Sequence, residues 1–336
     1  MGMRRRDFLA MLAGGMAAAG GAWPPPAHAQ RGERARRIAV FMTTAESDPE
    51  GRARADALRQ GLQALGWSEE QNLKIDWRWS AGDIARIRRY ATEVAQSGPD
   101  LIVANGAPNL AALKEATTSI PIVFVVVNDP VGQGFISNLA HPGGNITGFT
   151  FVEYSMFGKS LALLKQIAPA AARVGFIFNP DTAPFYEPFL PDFTTHARYE
   201  SVELTAARVR SEAELEDAIA KFAAGPDGGL IVPPETYTLV HAGRIMKSVE
   251  AHRLPAIYAY RQLVKEGGLI SYGPDTADIF RRSASYIDRI LKGASPSELP
   301  AQAPAKFELA VNLNSAGALG LTVAPTLLAL ADEVIE

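Results

Sequence analysis

The chain has 336 residues, of which 47% are hydrophobic and 21% charged, and this composition is typical of a globular protein and excludes a disordered one. At roughly 100 to 200 residues per domain, the length favours two domains, and the net charge of −3 offers no overall positive field for nucleic acid or an anionic membrane. The sequence contains no cysteine, which excludes disulfides, thiolate metal sites, a thiol nucleophile and a lipidated cysteine anchor.

The first 29 residues have the pattern of an export signal. Arg5 and Arg6 stand in a motif that resembles the twin-arginine export signal, and a weakly apolar run follows from Phe8 to Ala22. This run is shorter than the about 20 apolar residues that span a bilayer, which argues against a membrane anchor. An Ala-x-Ala step that ends at Ala29 is typical of a cleavage site. We therefore expect residues 1–29 to be removed on export to the periplasm.

Short β-branched and aromatic runs then alternate with amphipathic stretches of helical length. This alternation predicts βαβ units and parallel sheets. The run Val123 to Val127 is apolar on both faces, which is typical of a central strand covered by helices on both sides. The first set of predicted strands is Ile38–Met42, Leu73–Trp79, Leu101–Ala104 and Ile122–Val127, with helices at Arg52–Leu65, Ile84–Gln96 and Leu110–Ala116.

A second set of strands and helices follows a cluster of glycine and proline from His141 to Gly148. We place the crossover between the two lobes at this cluster; the alternative is an ordinary surface turn, and composition alone does not separate the two. The second set of predicted strands is Val174–Phe178, Ser201–Leu204, Leu230–Val232, Ala256–Tyr258 and Leu269–Tyr272, with helices at Met156–Ile167, Glu212–Phe222 and Leu239–His252. The shared rhythm of the two sets predicts two similar lobes.

The familiar enzyme motifs are absent from the sequence. It contains no phosphate-binding loop, no dinucleotide-binding glycine fingerprint, no His-Glu-x-x-His zinc motif and no Gly-x-Ser-x-Gly elbow. His241 and His252 are eleven residues apart on one predicted helix, which is too far for both to hold one metal ion. We expect no catalytic residue, no metal and no cofactor.

Polar, turn-rich loops follow almost every predicted strand. In open parallel sheets, ligands bind beyond the carboxyl ends of the strands, so these loops are the candidate binding surfaces. The candidate ligand-binding residues are Thr43, Thr44, Asn105, Gly106, Ala107, Asn128 and Asp129 from the first set and Asn179, Asp181, Glu235, Tyr258 and Tyr260 from the second. For each of them the alternative is a local role, because Asn and Asp before proline often satisfy their own turn.

An amino-acid head group could be divided between these loops. Helix starts and hydroxyl groups near Thr43, Thr44 and Asn105 would meet a carboxylate. Asp129 is the first candidate for an ammonium group and Glu235 is the second. The tyrosines of the second set offer surface for an apolar or aromatic side chain.

Several motifs together resemble the ABC-transporter substrate-binding family that includes tryptophan and tyrosine uptake receptors. They are Pro121–Phe124 leading into Asn128–Gly132, Pro142–Phe149, Leu254–Tyr258, Gly267–Gly273, Tyr286–Gly293 and Lys306–Asn312, and they run through most of the chain after residue 29. The resemblance implies a type I periplasmic binding fold in which two α/β lobes, joined by several crossovers, close on a small solute. It also implies that the first lobe takes up the late helix from about Ile279 to Leu291. The lobes would then comprise residues 37–147 with about 277–305, and residues 148–276 with about 306–336.

These observations predict a monomeric periplasmic receptor that passes a small solute to an inner-membrane ABC permease. The solute would be an amino acid, with an aromatic one as an option, or a related carboxylate. A periplasmic sensory receptor is the alternative, and an enzyme acting on a small carboxylate is disfavoured by the missing catalytic motifs. The export signal, together with the absence of a DNA-binding helical domain, argues against a nucleic-acid-binding regulator.

Overall fold

Two β-sheets flanked by helices organise the chain. The computed structural model describes residues 34–336, and the predicted export signal at residues 1–29 lies outside the described residues. The strands are β1 (Arg36–Met42), β2 (Leu73–Trp79), β3 (Leu101–Asn105), β4 (Ile122–Val127), β5 (Ile146–Thr150), β6 (Arg173–Phe178), β7 (Glu203–Arg208), β8 (Gly228–Val232), β9 (Ala256–Tyr258), β10 (Ile270–Pro274), β11 (Phe307–Asn312) and β12 (Glu333–Ile335).

The helices alternate with these strands, as βαβ units require. They are α1 (Pro49–Ala64), α2 (Ile84–Ser97), α3 (Ala107–Ala116), α4 (Ser155–Ile167), α5 (Leu190–Tyr199), α6 (Glu212–Ala223), α7 (Thr236–Val240), α8 (Ala242–Ala251), α9 (Arg261–Lys265), α10 (Thr276–Leu291), α11 (Leu313–Ala318) and α12 (Pro325–Leu328). No helix within residues 34–336 is long and apolar enough to cross a membrane.

The first sheet has the strand order β2-β1-β3-β4-β5, and all its pairs are parallel. Alternate residues of its strands face opposite cores. Ile38, Val40 and Met42 join one apolar cluster, whereas Ala39 and Phe41 join another. Because strand side chains alternate between faces, this sheet is buried on both sides, as the apolar run in β4 predicts.

The most extensive helix–helix contact of the first sheet joins segments distant in sequence. Helix α1 begins with Pro49 after the Asp48 carboxylate, which accepts a hydrogen bond from the Gly51 N–H at 2.6 Å. Helix α10 packs against α1, β4 and β5. The approach is close at Gly61, where an added Cβ atom would collide with the carbonyl oxygen of Arg281. The late helix therefore packs on the first sheet, while the lobe boundaries themselves stay a prediction.

The second sheet has the order β12-β11-β10-β9-β8-β6-β7. Its pairs are parallel except β10 with β11, which are antiparallel. Apart from this one pair, the predicted fold class of two α/β lobes on parallel sheets is confirmed. The chain passes between the two sheets at residues 151–154, at Asp275 and at residues 303–306.

Three predicted elements differ from the structure. The strand predicted at 201–204 is β7 at 203–208, because Ser201 has a φ of 57° and stands in the turn after α5. The helix predicted at 239–252 is two helices, α7 and α8, separated at His241. The glycine cluster at 141–148 is not the crossover between the lobes, since it leads into the buried strand β5 of the first sheet and the chain leaves that sheet only at residues 151–154.

Candidate ligand-binding cleft

A cleft lies between the two sheets, at the carboxyl ends of their parallel strands. It is the place at which open α/β sheets bind ligands. The residues that line it are Thr43, Arg54, Asn105, Gly106, Ala107, Val126 and Asn128 on the side of the first sheet, and Thr182, Phe185, Pro234, Glu235, Thr236, Leu239 and Tyr260 on the side of the second. Seven of the twelve predicted site residues are among them, and five are not.

The cleft is narrow. It contains about 380 Å³ of space between protein atoms, part of which is open to solvent, but only about 20 Å³ of it can hold the centre of a water molecule. A cavity needs roughly 10 to 15 Å³ by this measure to hold one water. A solute of amino-acid size therefore enters only if the two walls move apart or side chains rearrange.

Asn128 joins the two walls directly. Its Nδ2 donates to the carbonyl oxygen of Pro234 at 2.8 Å, and its Oδ1 accepts from the N–H of Val152 at 3.1 Å. Val152 belongs to the first crossover, so the buried amide of Asn128 connects both lobes and the segment between them. A second contact across the walls places Gly82 against Val240, where a Cβ atom on the glycine would lie 2.8 Å from Val240 Cγ2.

The wall formed by the first sheet is polar, and its side chains form hydrogen bonds with one another. The Thr43 hydroxyl lies 2.8 Å from the carbonyl oxygen of Asn105 and 3.0 Å from its Oδ1, and the Thr43 N–H donates to the same Oδ1. Gly106 begins the turn into α3 with a φ of 82°, and a Cβ there would lie 2.8 Å from Thr43 Oγ1. Thr44 lies outside the lining and packs on Gly51.

Val126 lines the cleft through an irregularity in β4. The pairing register with β5 shifts between Val125 and Val127, and Val126 has a φ of 57°. Positive φ is rare for a β-branched residue, and bulges of this kind re-aim a side chain beside a site. Sequence reasoning missed it because the apolar run gave no sign of a break in the strand.

Arg54 is the strongest feature that sequence reasoning missed. Its side chain is 1% exposed, Nε lies 3.2 Å from Glu50 Oε1, and neither Nη1 nor Nη2 has a hydrogen-bond partner among residues 34–336. The guanidinium carbon lies 5.2 Å from the centre of the Tyr260 ring. The spacing of Arg54, Leu58 and Leu62 in α1 was the available signal, because it places all three on the buried face of one helix.

Glu50 holds Arg54 from outside the cleft. Burial opposes ionisation of Glu50, but the Arg54 guanidinium and a hydrogen bond from the Thr276 hydroxyl at 2.7 Å outweigh it and lower the pKa of the Glu50 carboxyl. Thr276 is the first residue of α10, directly after the crossover at Asp275. The ion pair is thus attached to a segment that connects the lobes. Burial raises the pKa of Tyr260 to about 12, so its hydroxyl stays neutral.

Glu235 lines the cleft as a buried helix cap. Its carboxylate accepts from Tyr237 N at 2.6 Å, Thr182 Oγ1 at 2.7 Å, Thr238 N at 2.9 Å and Asn179 N at 3.4 Å. Burial raises the pKa of Glu235 to about 7 despite these donors. An ammonium group would have to compete for oxygens that four donors already occupy.

The first candidate for the ammonium, Asp129, lies outside the lining. Its Oδ1 accepts from the N–H of Gly132 at 2.9 Å, and its Oδ2 lies 3.3 Å from the Tyr154 hydroxyl. The residue has a φ of 39°, which aspartate tolerates better than most residues. In this structure the Asp129 side chain forms a turn, the alternative role that its position before Pro130 suggests.

Three more predicted residues lie away from the lining. The Asn179 Oδ1 accepts from the N–H of Asp181 at 2.8 Å, which is a local turn contact. Asp181 pairs with Arg210 near the surface at 3.4 Å. Tyr258 is buried within the second sheet at 2% exposure. Within residues 34–336, no group of three or more His, Asp or Glu side chains is placed to hold a metal ion.

Comparisons with known proteins agree with this architecture. The family model for "ABC transporter substrate binding protein" matches residues 38–335. A tyrosine-binding protein of Clostridioides difficile (strain R20291) is 26% identical over 264 residues, which cover 78% of this chain and 75% of the relative.

Solved structures resemble the chain over most of its length. A conserved domain protein from Vibrio cholerae is 26% identical with a TM-score of 0.82, over 90% of this chain and 100% of the other. The ABC domain of Streptococcus pneumonia in complex with L-Trp also has a TM-score of 0.82 with the same coverage, at 23% identity. Its likeness shows the same two-lobed fold. Since the family match spans nearly all described residues, the chain belongs to the ABC transporter substrate-binding protein family.

Proposed function

We propose that the protein is the periplasmic substrate-binding component of an ABC importer. It captures a small solute between its two lobes, closes on it, and delivers it unchanged to an inner-membrane permease. The solute is an amino acid, with an aromatic one as the first choice to test, or a related carboxylate. In this proposal the protein acts as a monomer after export by the signal at residues 1–29, and its lobes are close to those expected from the sequence, with the first crossover at residues 151–154 instead of 147–148.

One observation carries the proposal. The strand-end loops of both sheets form the two walls of one cleft, and that cleft is too narrow for a solute to enter without opening. A site made from two lobes that must separate and close is typical of hinge-closing receptors. The relatives add support for the solute class, because one is named a tyrosine-binding protein and another was solved in complex with L-Trp.

A solute panel tests the proposal. The wild-type protein is heated with each L-amino acid, with aromatic carboxylates and with simple sugars. A solute at a hundred times its Kd stabilises the folded form by about 2.7 kcal/mol, which for a chain of this size raises the Tm by roughly 4 °C. We expect an amino acid or a carboxylate to give this shift and to be recovered unaltered by mass spectrometry. Chemical conversion of the solute, or no shift with any class, would contradict the proposal.

A further inference from the structure

The guanidinium of Arg54 has hydrogen-bonding capacity that the described protein does not use. Its Nε meets Glu50, but Nη1 and Nη2, which together carry four N–H donors, have no hydrogen-bond partner among residues 34–336. The side chain is 1% exposed, so bulk water does not serve these donors freely. Leaving donors of a buried charge unsatisfied is costly, so such donors call for an acceptor, which a bound ligand, an ion or a water molecule can supply.

The surroundings of Arg54 hold it in one orientation. Glu50 binds one edge of the guanidinium, and the Tyr260 ring lies beside it with 5.2 Å between the guanidinium carbon and the ring centre. Both Arg54 and Tyr260 line the cleft. The edge that carries Nη1 and Nη2 is therefore a preformed fork, which matches the two oxygens of a carboxylate.

No carboxylate of the described cleft lining pairs with this fork. Glu235 is the lining carboxylate, and its oxygens accept from four other donors. Asp129 bonds within its own turn and does not line the cleft. The same facts leave no lining carboxylate free for an ammonium group.

We infer that the Nη1 and Nη2 groups of Arg54 bind the carboxylate of the captured solute, and that this contact determines its chemical class. The inference rests on the proposed function, to which it adds the residue that recognises the carboxylate of the solute. The solute's carboxylate contributes more to affinity than its ammonium group does, because the described cleft lining offers unused N–H donors on the Arg54 guanidinium, whereas the oxygens of its carboxylate, Glu235, already accept from four donors. Glu50 is a positioning residue, since it meets the guanidinium on the edge away from the solute.

Three kinds of probe separate these contributions. L-tyrosine and L-tryptophan carry both charged groups, tyramine and tryptamine lack the carboxylate, and 3-(4-hydroxyphenyl)propionate and indole-3-propionate lack the ammonium group. Titration calorimetry on the wild-type protein should rank each amine at least about 30-fold below its parent amino acid, as loss of one partner of a buried charge pair predicts. The propionates should lose less affinity than the amines.

Variants test the residue itself. Arg54→Met combined with Glu50→Gln removes both charges of the pair and keeps similar side-chain lengths, so no buried charge is left alone. We expect this double variant to melt within a few degrees of the wild type and to lose about 30-fold or more in affinity for the acids. Arg59→Met removes an exposed arginine of the same helix, and affinity should not change.

Each contrary result has a separate meaning. If the double variant binds the acids as tightly as the wild type, or if the amines bind as tightly as the acids, the assignment of Arg54 is wrong. If the wild-type protein binds no acid but retains a sugar, the carboxylate inference fails while the importer function stands. If it retains no solute of any class, both fail.

Discussion

Substitution of Glu235 by glutamine separates the pH-dependent effect of its buried carboxyl group on stability from the role of that side chain as the cap of α7. Burial raises the pKa of Glu235 to about 7, whereas the ordinary value is 4.5. Between these two values the folded protein holds more protons than the unfolded chain. The free energy of unfolding therefore decreases as the pH rises through this window, and a neutral glutamine removes that dependence.

The size of the effect follows from the shift. Each unit of pKa corresponds to about 1.4 kcal/mol, so the full shift is worth about 3 kcal/mol. Most of this effect falls between pH 5 and pH 8. Across that range we expect the difference in free energy of unfolding between the wild type and Glu235→Gln to change by on the order of 2 kcal/mol. The variant also loses part of the cap on α7, a pH-independent cost of about 1 kcal/mol.

Urea unfolding at several pH values between 5 and 8 measures this difference. Glu203→Gln is the matched control, because it removes an exposed carboxylate from the edge strand β7. The free energy of unfolding of this control should depend on pH in the same way as that of the wild type. If the free energy of unfolding of Glu235→Gln also follows the pH dependence of the wild type, the Glu235 carboxylate is ionised throughout the range and its burial does not raise its pKa.

Three further predictions concern backbone approach and closure. Gly61→Ala should lower the free energy of unfolding, measured by urea unfolding, by about 1 to 3 kcal/mol, because α10 must move away from the added Cβ atom. Gly243→Ala has open space at its Cβ and should not destabilise the protein; equal losses in the two variants would contradict the packing argument. Gly106→Ala should lower the free energy of unfolding more than Gly66→Ala does. Both glycines have positive φ, which costs an alanine about 1 kcal/mol at each position, but only the Cβ atom at position 106 would meet a neighbour; equal Tm values for the two variants would refute this. Asn128→Ala should weaken closure by about 1 kcal/mol and enlarge the radius of gyration in X-ray scattering; an unchanged profile would show that the contact does not hold the lobes.

The fold was accessible from the sequence because its signals are local and repeated. The apolar run of β4 and the alternation of strands with amphipathic helices predicted two α/β lobes, and the structure confirms them. What the sequence did not show depends on distant partners. The antiparallel pairing of β11 with β10 is one such case, and the separation of α7 from α8 at His241 is another. Neither has a distinct residue pattern.

The site was only partly accessible. The rule that ligands bind beyond strand ends led to Thr43, Asn105 and Glu235, which do line the cleft. It led equally to Asp129, whose turn uses up its carboxylate. It did not lead to Arg54, because this residue reaches the cleft from the middle of a helix rather than from a loop. A charged residue on the buried face of an amphipathic helix is the signal that identifies such a position.

A crystal structure of the protein with its retained solute would show directly whether the cleft and Arg54 bind that solute. We expect the solute between the two lobes, in contact with residues of both sheets, with its carboxylate oxygens at about 2.8 Å from Nη1 and Nη2 of Arg54. A solute bound outside this cleft, or one held by a single sheet with the guanidinium of Arg54 untouched, would contradict it.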